Sequence, residues 1–177
     1  MKIIDLNKMR QTYNYDCGAK ALQSVMAFYG LDVREEELMD KLKTRESDGT
    51  KIKNMVSVAE DYDFKVDHGK MTLELLKKFV TSGSPVIVLL QAWSEKDMSL
   101  EDWKNDWEDG HYVAVIGVEN GLIVFEDPSS VKRTWLKEEE FLARWHDVDS
   151  NSDKKFVNYG IVLHGAKPEN DEYEHMD

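Results

Sequence analysis

Cysteine is almost absent from this chain. Cys17 is the only one among 177 residues, so no intrachain disulfide can form, which fits a reducing compartment. Proline is nearly as scarce, at three, and there are only ten glycines, which argues against a fibrous or linker-rich protein. Long hydrophobic runs are missing too. The longest, Pro85 to Leu90, is far too short to span a bilayer. The opening stretch MKIIDLNKMRQ lacks the apolar core of a secretory signal. The expectation is a soluble, cytoplasmic protein without a membrane segment. Basic clusters are absent as well: adjacent bases occur only as Lys77-Lys78, Lys132-Arg133 and Lys154-Lys155, against a net charge of -12. Such a surface repels nucleic acid and anionic membranes, so neither is expected as a partner. The excess of acid suits a basic substrate, although solubility accounts for it more simply.

What is present is a core. Hydrophobic residues make up 41% of the chain, enough for one folded domain over residues 1–166, followed by an acidic, frayed tail over 167–177. Apolar spacing predicts a helix over 16–29, with Asp16 as its N-cap and Gly30 as its stop. Further helices are expected over 34–42, 51–62 and 72–80, the last capped by Thr72. Strands follow: 64–66, 85–90, 112–118, 122–125 and 157–163. Asn120-Gly121 between two apolar runs is a hairpin signal. Helices lead and strands follow, which predicts an α+β fold with an antiparallel sheet packed on the N-terminal helices. No internal repeat is present.

A lone cysteine is most often a small buried hydrophobe. Cys17, however, falls in the first turn of the first expected helix, where unpaired N–H groups and the helix dipole favour a thiolate. Gly18 follows it and lets a substrate backbone approach closely. A thiolate needs a base. Of five histidines, His175 lies in the tail, His68 beside Gly69 in an expected turn, His146 after a helical stretch, and His164 at the end of the last strand. His111 heads the core strand 112–118, a rigid mount for a base, although an ordinary polar residue at a strand start fits there equally well. Asp127 follows the partner strand. The hairpin brings it to the same end of the sheet as His111, with a mismatch in residue count that calls for a bulge or loop. There it could hold the imidazole tautomer, or simply open an Asp-Pro turn.

These residues resemble a known family. Gln11-Thr-Tyr-Asn-Tyr-Asp-Cys17-Gly18 is similar to the start of the bacteriocin-processing cysteine peptidases, papain-like enzymes that cut leader peptides after a double glycine. Phe28-Tyr29-Gly30, Gly49-Thr50, Gly110-His111-Tyr112-Val113 and Phe125-Glu126-Asp127-Pro128 resemble that family's later landmarks, in order, over roughly residues 8–163. The resemblance implies a papain-like fold, catalysis by Cys17, His111 and Asp127, and an oxyanion site built from the Gln11 side-chain amide and the Cys17 N–H. It implies a peptide or protein substrate and no cofactor. Family members are often the front domain of a membrane transporter with an ATPase. Neither is encoded in these residues, so a free-standing domain is expected. Lys20 stands where the family usually has a small residue. One helical turn from Cys17, it could reach the thiolate or substrate, and a solvated lysine is the simpler expectation.

Between residues 94 and 110 lies a segment rich in acid (Glu95, Asp97, Glu101, Asp102, Asp106, Glu108, Asp109) that also carries Trp103 and Trp107, four residues apart. As a rim beside the cleft it would bind substrate through Trp103, Trp107 and Gly110. As a surface helix it would pack both tryptophans on the core. Asp147, Asp149, Asn151 and Asp153 alternate like a calcium loop, but Ser152 replaces its glycine and Asn158 its glutamate. No Cys/His cluster has zinc spacing, so no metal is expected. Proteolysis through an acyl-enzyme is the leading reading. An amidase or acyl transferase of the same superfamily and a non-catalytic peptide-binding module remain as alternatives.

Overall fold

The computed structural model describes residues 3–149 and 154–168. Three helices open the chain: α1 (Cys17–Phe28), α2 (Glu35–Leu42) and α3 (Ile52–Asp61). Strand β1 (Lys65–Lys70) and helix α4 (Leu73–Thr81) lead to β2 (Val86–Gln91) and the short α5 (Leu100–Asn105). Then follow β3 (Gly110–Glu119), β4 (Leu122–Glu126), β5 (Thr134–Lys137), α6 (Glu138–Arg144), β6 (His146–Asp149), β7 (Lys154–Val157) and β8 (Tyr159–His164). Six strands form one antiparallel sheet in the order β1-β8-β2-β3-β4-β5, and β6 pairs with β7 in a small second ribbon. This is the expected α+β architecture.

Helix α1 is the spine of the helical layer. Ten of its twelve residues are buried, and it packs against β3, α2 and α3. Leu22, Val25 and Met26 have no exposed surface. Burying each such side chain stabilises the fold by roughly 1.5–3 kcal/mol. Helix α1 stops as expected, because Gly30 takes the left-handed φ of +84° that the chain reversal requires. Its start differs. Asp16 occupies the N-cap position, and its carbonyl accepts the Lys20 N–H, but its side chain makes no bond into the helix. Its carboxyl turns upstream, where it accepts the N–H groups of Thr12 at 3.0 Å and Tyr13 at 3.2 Å. Thr72 behaves as expected and accepts the Leu75 N–H into the first turn of α4.

The hairpin between β3 and β4 turns at Asn120 and Gly121, both with positive φ, as a two-residue loop of matching twist demands. The residue count allowed a bulge or a loop, and the register shifts between Val115 and Gly117. The last strand differs from expectation. Asn158, at φ +53°, divides the segment in two, so Lys154–Val157 pairs with β6 while Tyr159–His164 joins the main sheet. His68 lies within β1 opposite Ile161 rather than in a turn. Consecutive burial along β2 and most of β3 shows that both faces of the sheet centre are covered. At the C-terminal end, Lys167 sits over the Phe28 ring and Pro168 lies beside Gly30. The remainder of the expected tail lies outside the described residues.

Candidate active site

Two structural features bring the candidate residues together. Helix α1 begins at Cys17, and the β3–β4 hairpin carries His111 and Asp127 to one end of the sheet, with His111 opposite Leu90 of β2. Cys17 is half-buried, and His111 and Asp127 are almost fully buried. His111 Nε2 is 2.7 Å from Asp127 Oδ1. The Cys17 side chain acts on the same imidazole; with Nε2 engaged by Asp127, Nδ1 is the ring nitrogen left for it. Burial alone would push the imidazole down. The bond to Asp127 and the bond and charge of Cys17 outweigh it, and lift His111 to about 9. Asp127 in turn is held below the usual carboxylate range. Burial opposes this, but the bond and charge of His111 and the Ser129 and Thr134 donors prevail.

Asp127 is fixed from every side. Oδ1 also accepts the Ser129 N–H at 2.8 Å, and Oδ2 accepts the Thr134 hydroxyl and the Trp93 indole N–H, each at 3.2 Å. Trp93 holds a left-handed φ of +63° to make that contact, a conformation a non-glycine residue adopts only when its surroundings impose it. Sequence reasoning did not find Trp93, Ser129 or Thr134. Nothing local marks them, because each matters only through Asp127.

Gln11 joins the same assembly. Its N–H donates to the Pro128 carbonyl at 3.0 Å. Its side-chain oxygen accepts the Ser129 hydroxyl at 2.9 Å, and its side-chain nitrogen donates to the Tyr13 carbonyl at 2.7 Å. The Pro128-Ser129 turn therefore ties Gln11 to the carboxylate that holds His111. The side-chain nitrogen carries a second hydrogen, available to another acceptor.

A cleft of about 360 Å³ opens beside Cys17. One wall is the turn from Glu46 to Ile52, and the other includes Trp107, Gly110, Asp147 and Phe156. Gly110 is a requirement of this packing. The Asp147 carboxylate, held by the Gln91 amide at 2.9 Å, occupies the space a β-carbon at residue 110 would need. Burial pushes Asp147 up to about 6. Of the alternating acidic residues read as a calcium loop, Asp147 is thus turned onto Gln91 and Gly110, and residues 150–153 lie outside the described residues. The close approach at Gly18 is made by the protein itself: a β-carbon there would lie 2.7 Å from Thr50 Cβ and 3.0 Å from Tyr112. Gly18→Ala is accordingly expected to lower stability by ~1–3 kcal/mol, read as a shift of the urea midpoint at constant slope.

The acidic tryptophan segment splits. Helix α5 ends at Asn105, and Asp106 is extended. Trp103 faces inward, 7% exposed, with the Arg144 guanidinium 3.9 Å from its ring centre. Trp107 leaves the helix, rests on the His146 ring and lines the cleft. Trp103 and Gly18 are not among the cleft-lining residues, whereas Trp107 and Gly110 are. Lys20 corrects the expectation of a solvated side chain. It is 7% exposed, pairs with Glu35 at 2.9 Å and donates to Gln23 at 2.9 Å. The other histidines are engaged elsewhere: His146 with the Asp106 carbonyl, His164 with Asp67 and His68 with the Tyr159 hydroxyl.

A helix-borne cysteine beside a strand-borne histidine, with an aspartate just past the next strand, and with helices on one side of the cleft and sheet on the other, defines the class of papain-like cysteine hydrolases. The sequence model of the Peptidase C39 family matches residues 5–149, and the chain belongs to that family of cysteine peptidases. Its relatives include the sublancin-168-processing and transport ATP-binding protein SunT of Bacillus subtilis, 22% identical over 84% of this chain and 19% of SunT. The pediocin PA-1 transport/processing ATP-binding protein PedD of Pediococcus acidilactici is 25% identical over 75% of this chain and 16% of PedD. The chain thus spans about a fifth of the length of the curated relatives it matches. Among solved structures, the peptidase domain of Streptococcus ComA superposes with a TM-score of 0.65 at 23% identity, covering 92% of this chain and 98% of that one. A C39-like peptidase from Bacillus anthracis gives 0.66 at 14% identity, covering 95% and 100%. A double glycine motif protease from an AMS/PCAT transporter, in complex with the leader peptide, gives 0.63 at 20% identity, covering 91% and 92%. These likenesses establish the fold. Among the described residues, no helix is long and apolar enough to cross a membrane.

Proposed function

We propose that this peptidase cuts a leader peptide after a double glycine through an acyl-enzyme. The observation that carries the reading is the buried His111 imidazole bonded to Asp127 and acted on by Cys17, which lines the cleft. Cys17 attacks the scissile carbonyl as a thiolate, and His111 gives its proton to the leaving amine. His111 then takes a proton from water, which releases the acyl group. Asp127 orients the imidazole and balances its charge. The free hydrogen of the Gln11 amide and the Cys17 N–H stabilise the oxyanion. Gly110 and Trp107 contact the substrate on the sheet side of the cleft.

The double-glycine preference is supported by the names of the relatives: SunT and PedD are processing proteins, and one structural neighbour is a double glycine motif protease bound to a leader peptide. The test is mass spectrometry of products from synthetic peptides that carry one Gly-Gly junction. A single cut after the second glycine is expected, with a Cys17-linked acyl adduct on acid quench. Cuts scattered over other bonds would reject the specificity. Transfer to an added amine in preference to water would replace the peptidase with an acyl transferase.

A further inference from the structure

A buried ionic cluster lies beneath the segment that leads into Cys17, and the chemistry above does not use it. Asp16 has no exposed surface. As described, its oxygens accept the Thr12 and Tyr13 N–H groups. Against it stands Glu35, in the first turn of α2. Glu35 Oε2 is fully engaged, by the Lys20 ammonium at 2.9 Å and the Thr12 hydroxyl at 2.8 Å. Glu35 Oε1 is buried and meets no N–H or hydroxyl group. The Asp16 and Glu35 carboxyls act on each other.

Two neighbouring carboxyls disfavour each other's charge. Burial, and then Glu35, push Asp16 up. On Glu35 burial acts in the same sense, but Lys20, Asp16 and Thr12 override it and hold that carboxyl below its ordinary value. Asp16 is thus the carboxyl pushed up, and Glu35 the one held down beside Lys20.

We propose that Asp16 is a positioning residue for the oxyanion side of the cleft: bonded to Glu35 and backed by Lys20, it clamps the Thr12–Tyr13 backbone and, through it, the Gln11 side chain. The connection is short. Tyr13 is held at its N–H by Asp16 and accepts the Gln11 side-chain amide at its carbonyl. Lys20 Nζ is fixed in turn by Gln23, whose own amide donates to the Val33 carbonyl at 2.8 Å. The clamp thus spans α1, α2 and the segment between Gln11 and Cys17. Its purpose rests on the oxyanion role proposed for Gln11, while its geometry does not.

Asp16→Asn keeps one of the two backbone acceptors, because its single side-chain oxygen takes one N–H while its amide can donate to Glu35. Asp16→Ala keeps neither. The readouts are kcat on a Gly-Gly peptide, alkylation of Cys17 by iodoacetamide, and hydrogen exchange of the Thr12 and Tyr13 amides. In Asp16→Ala, kcat is expected to fall by ~10²-fold, as on loss of one oxyanion donor. Alkylation stays near the wild-type rate, and both amides lose protection. Asp16→Asn restores part of the turnover and the protection of one of the two amides. Unchanged exchange in Asp16→Ala would overturn the proposal, as would alkylation that falls as far as kcat, since Asp16 would then act on Cys17 itself. If the alanine variant does not fold, Asp16→Asn decides: loss of protection at both amides overturns the clamp. If the wild-type chain does not cut Gly-Gly peptides, the substrate reading fails and the amide exchange judges Asp16 separately.

Discussion

Cys17→Ala is expected to abolish peptide cleavage while the fold survives. The loss in kcat/KM is on the order of 10⁶, because nucleophile and base act as one unit and removing either removes both contributions. Stability changes by less than about 1 kcal/mol. The thiol is half-buried at the first residue of α1, and alanine is an equally good helix former there. His111 keeps Asp127 as a partner and loses only the sulfur beside its other ring nitrogen. Steady-state kinetics on a Gly-Gly peptide and a thermal melt of the same sample check both halves. A residual rate within about 10³ of wild type, well above what oxyanion and binding contacts alone leave, would place the nucleophile elsewhere.

The second large effect is in pH. The His111 imidazolium is favoured up to about 9, so the proton it would give to the leaving amine is held through neutral pH and is lost as pH rises through that value. The alkaline limb of kcat/KM is expected near pH 9. Its sign follows from the balance at the site: burial works against the charged imidazole, and the Asp127 and Cys17 side chains work for it. Removing the carboxylate leaves burial less opposed. Asp127→Ala should therefore move the alkaline limb down by ~1–3 units, the usual effect of one adjacent opposite charge. It also strands the Ser129, Thr134 and Trp93 donors, each at a cost of about 1–3 kcal/mol where the group is buried, so a lower melting temperature accompanies the shift. Asp127→Asn keeps an acceptor for His111 Nε2 without the charge. It should retain more activity than alanine and still shift the limb downward. A limb that stays in place in both variants would mean that Asp127 only orients the ring.

The tryptophan pair shows where local spacing misleads. Four residues apart, Trp103 and Trp107 would share a helix face, but α5 ends between them and sends one onto Arg144 and the other into the cleft. The length of a short acidic helix depends on what it packs against, which periodicity does not contain. Lys20 is a similar case. Its burial depends on Glu35 and Gln23, and Glu35 belongs to another helix. Asp16 is suited by residue type to cap α1, yet its carboxyl serves the preceding segment because Glu35 lies against it.

Other features needed only the order of residues. Helical spacing and Gly30 set the extent of α1, the Asn-Gly turn set the hairpin, and the count across it allowed a bulge or a loop, because each follows from short-range geometry. The motifs at Gln11, Cys17, His111 and Asp127 pointed to the cysteine peptidase family to which the chain belongs. The tertiary structure decided everything that joins distant segments: the Pro128-Ser129 turn that ties Gln11 to Asp127, the indole of Trp93 above that carboxylate, and the buried Asp16, Glu35 and Lys20 beneath the segment entering Cys17. Such contacts depend on how elements far apart in the chain are packed, and no local pattern records them.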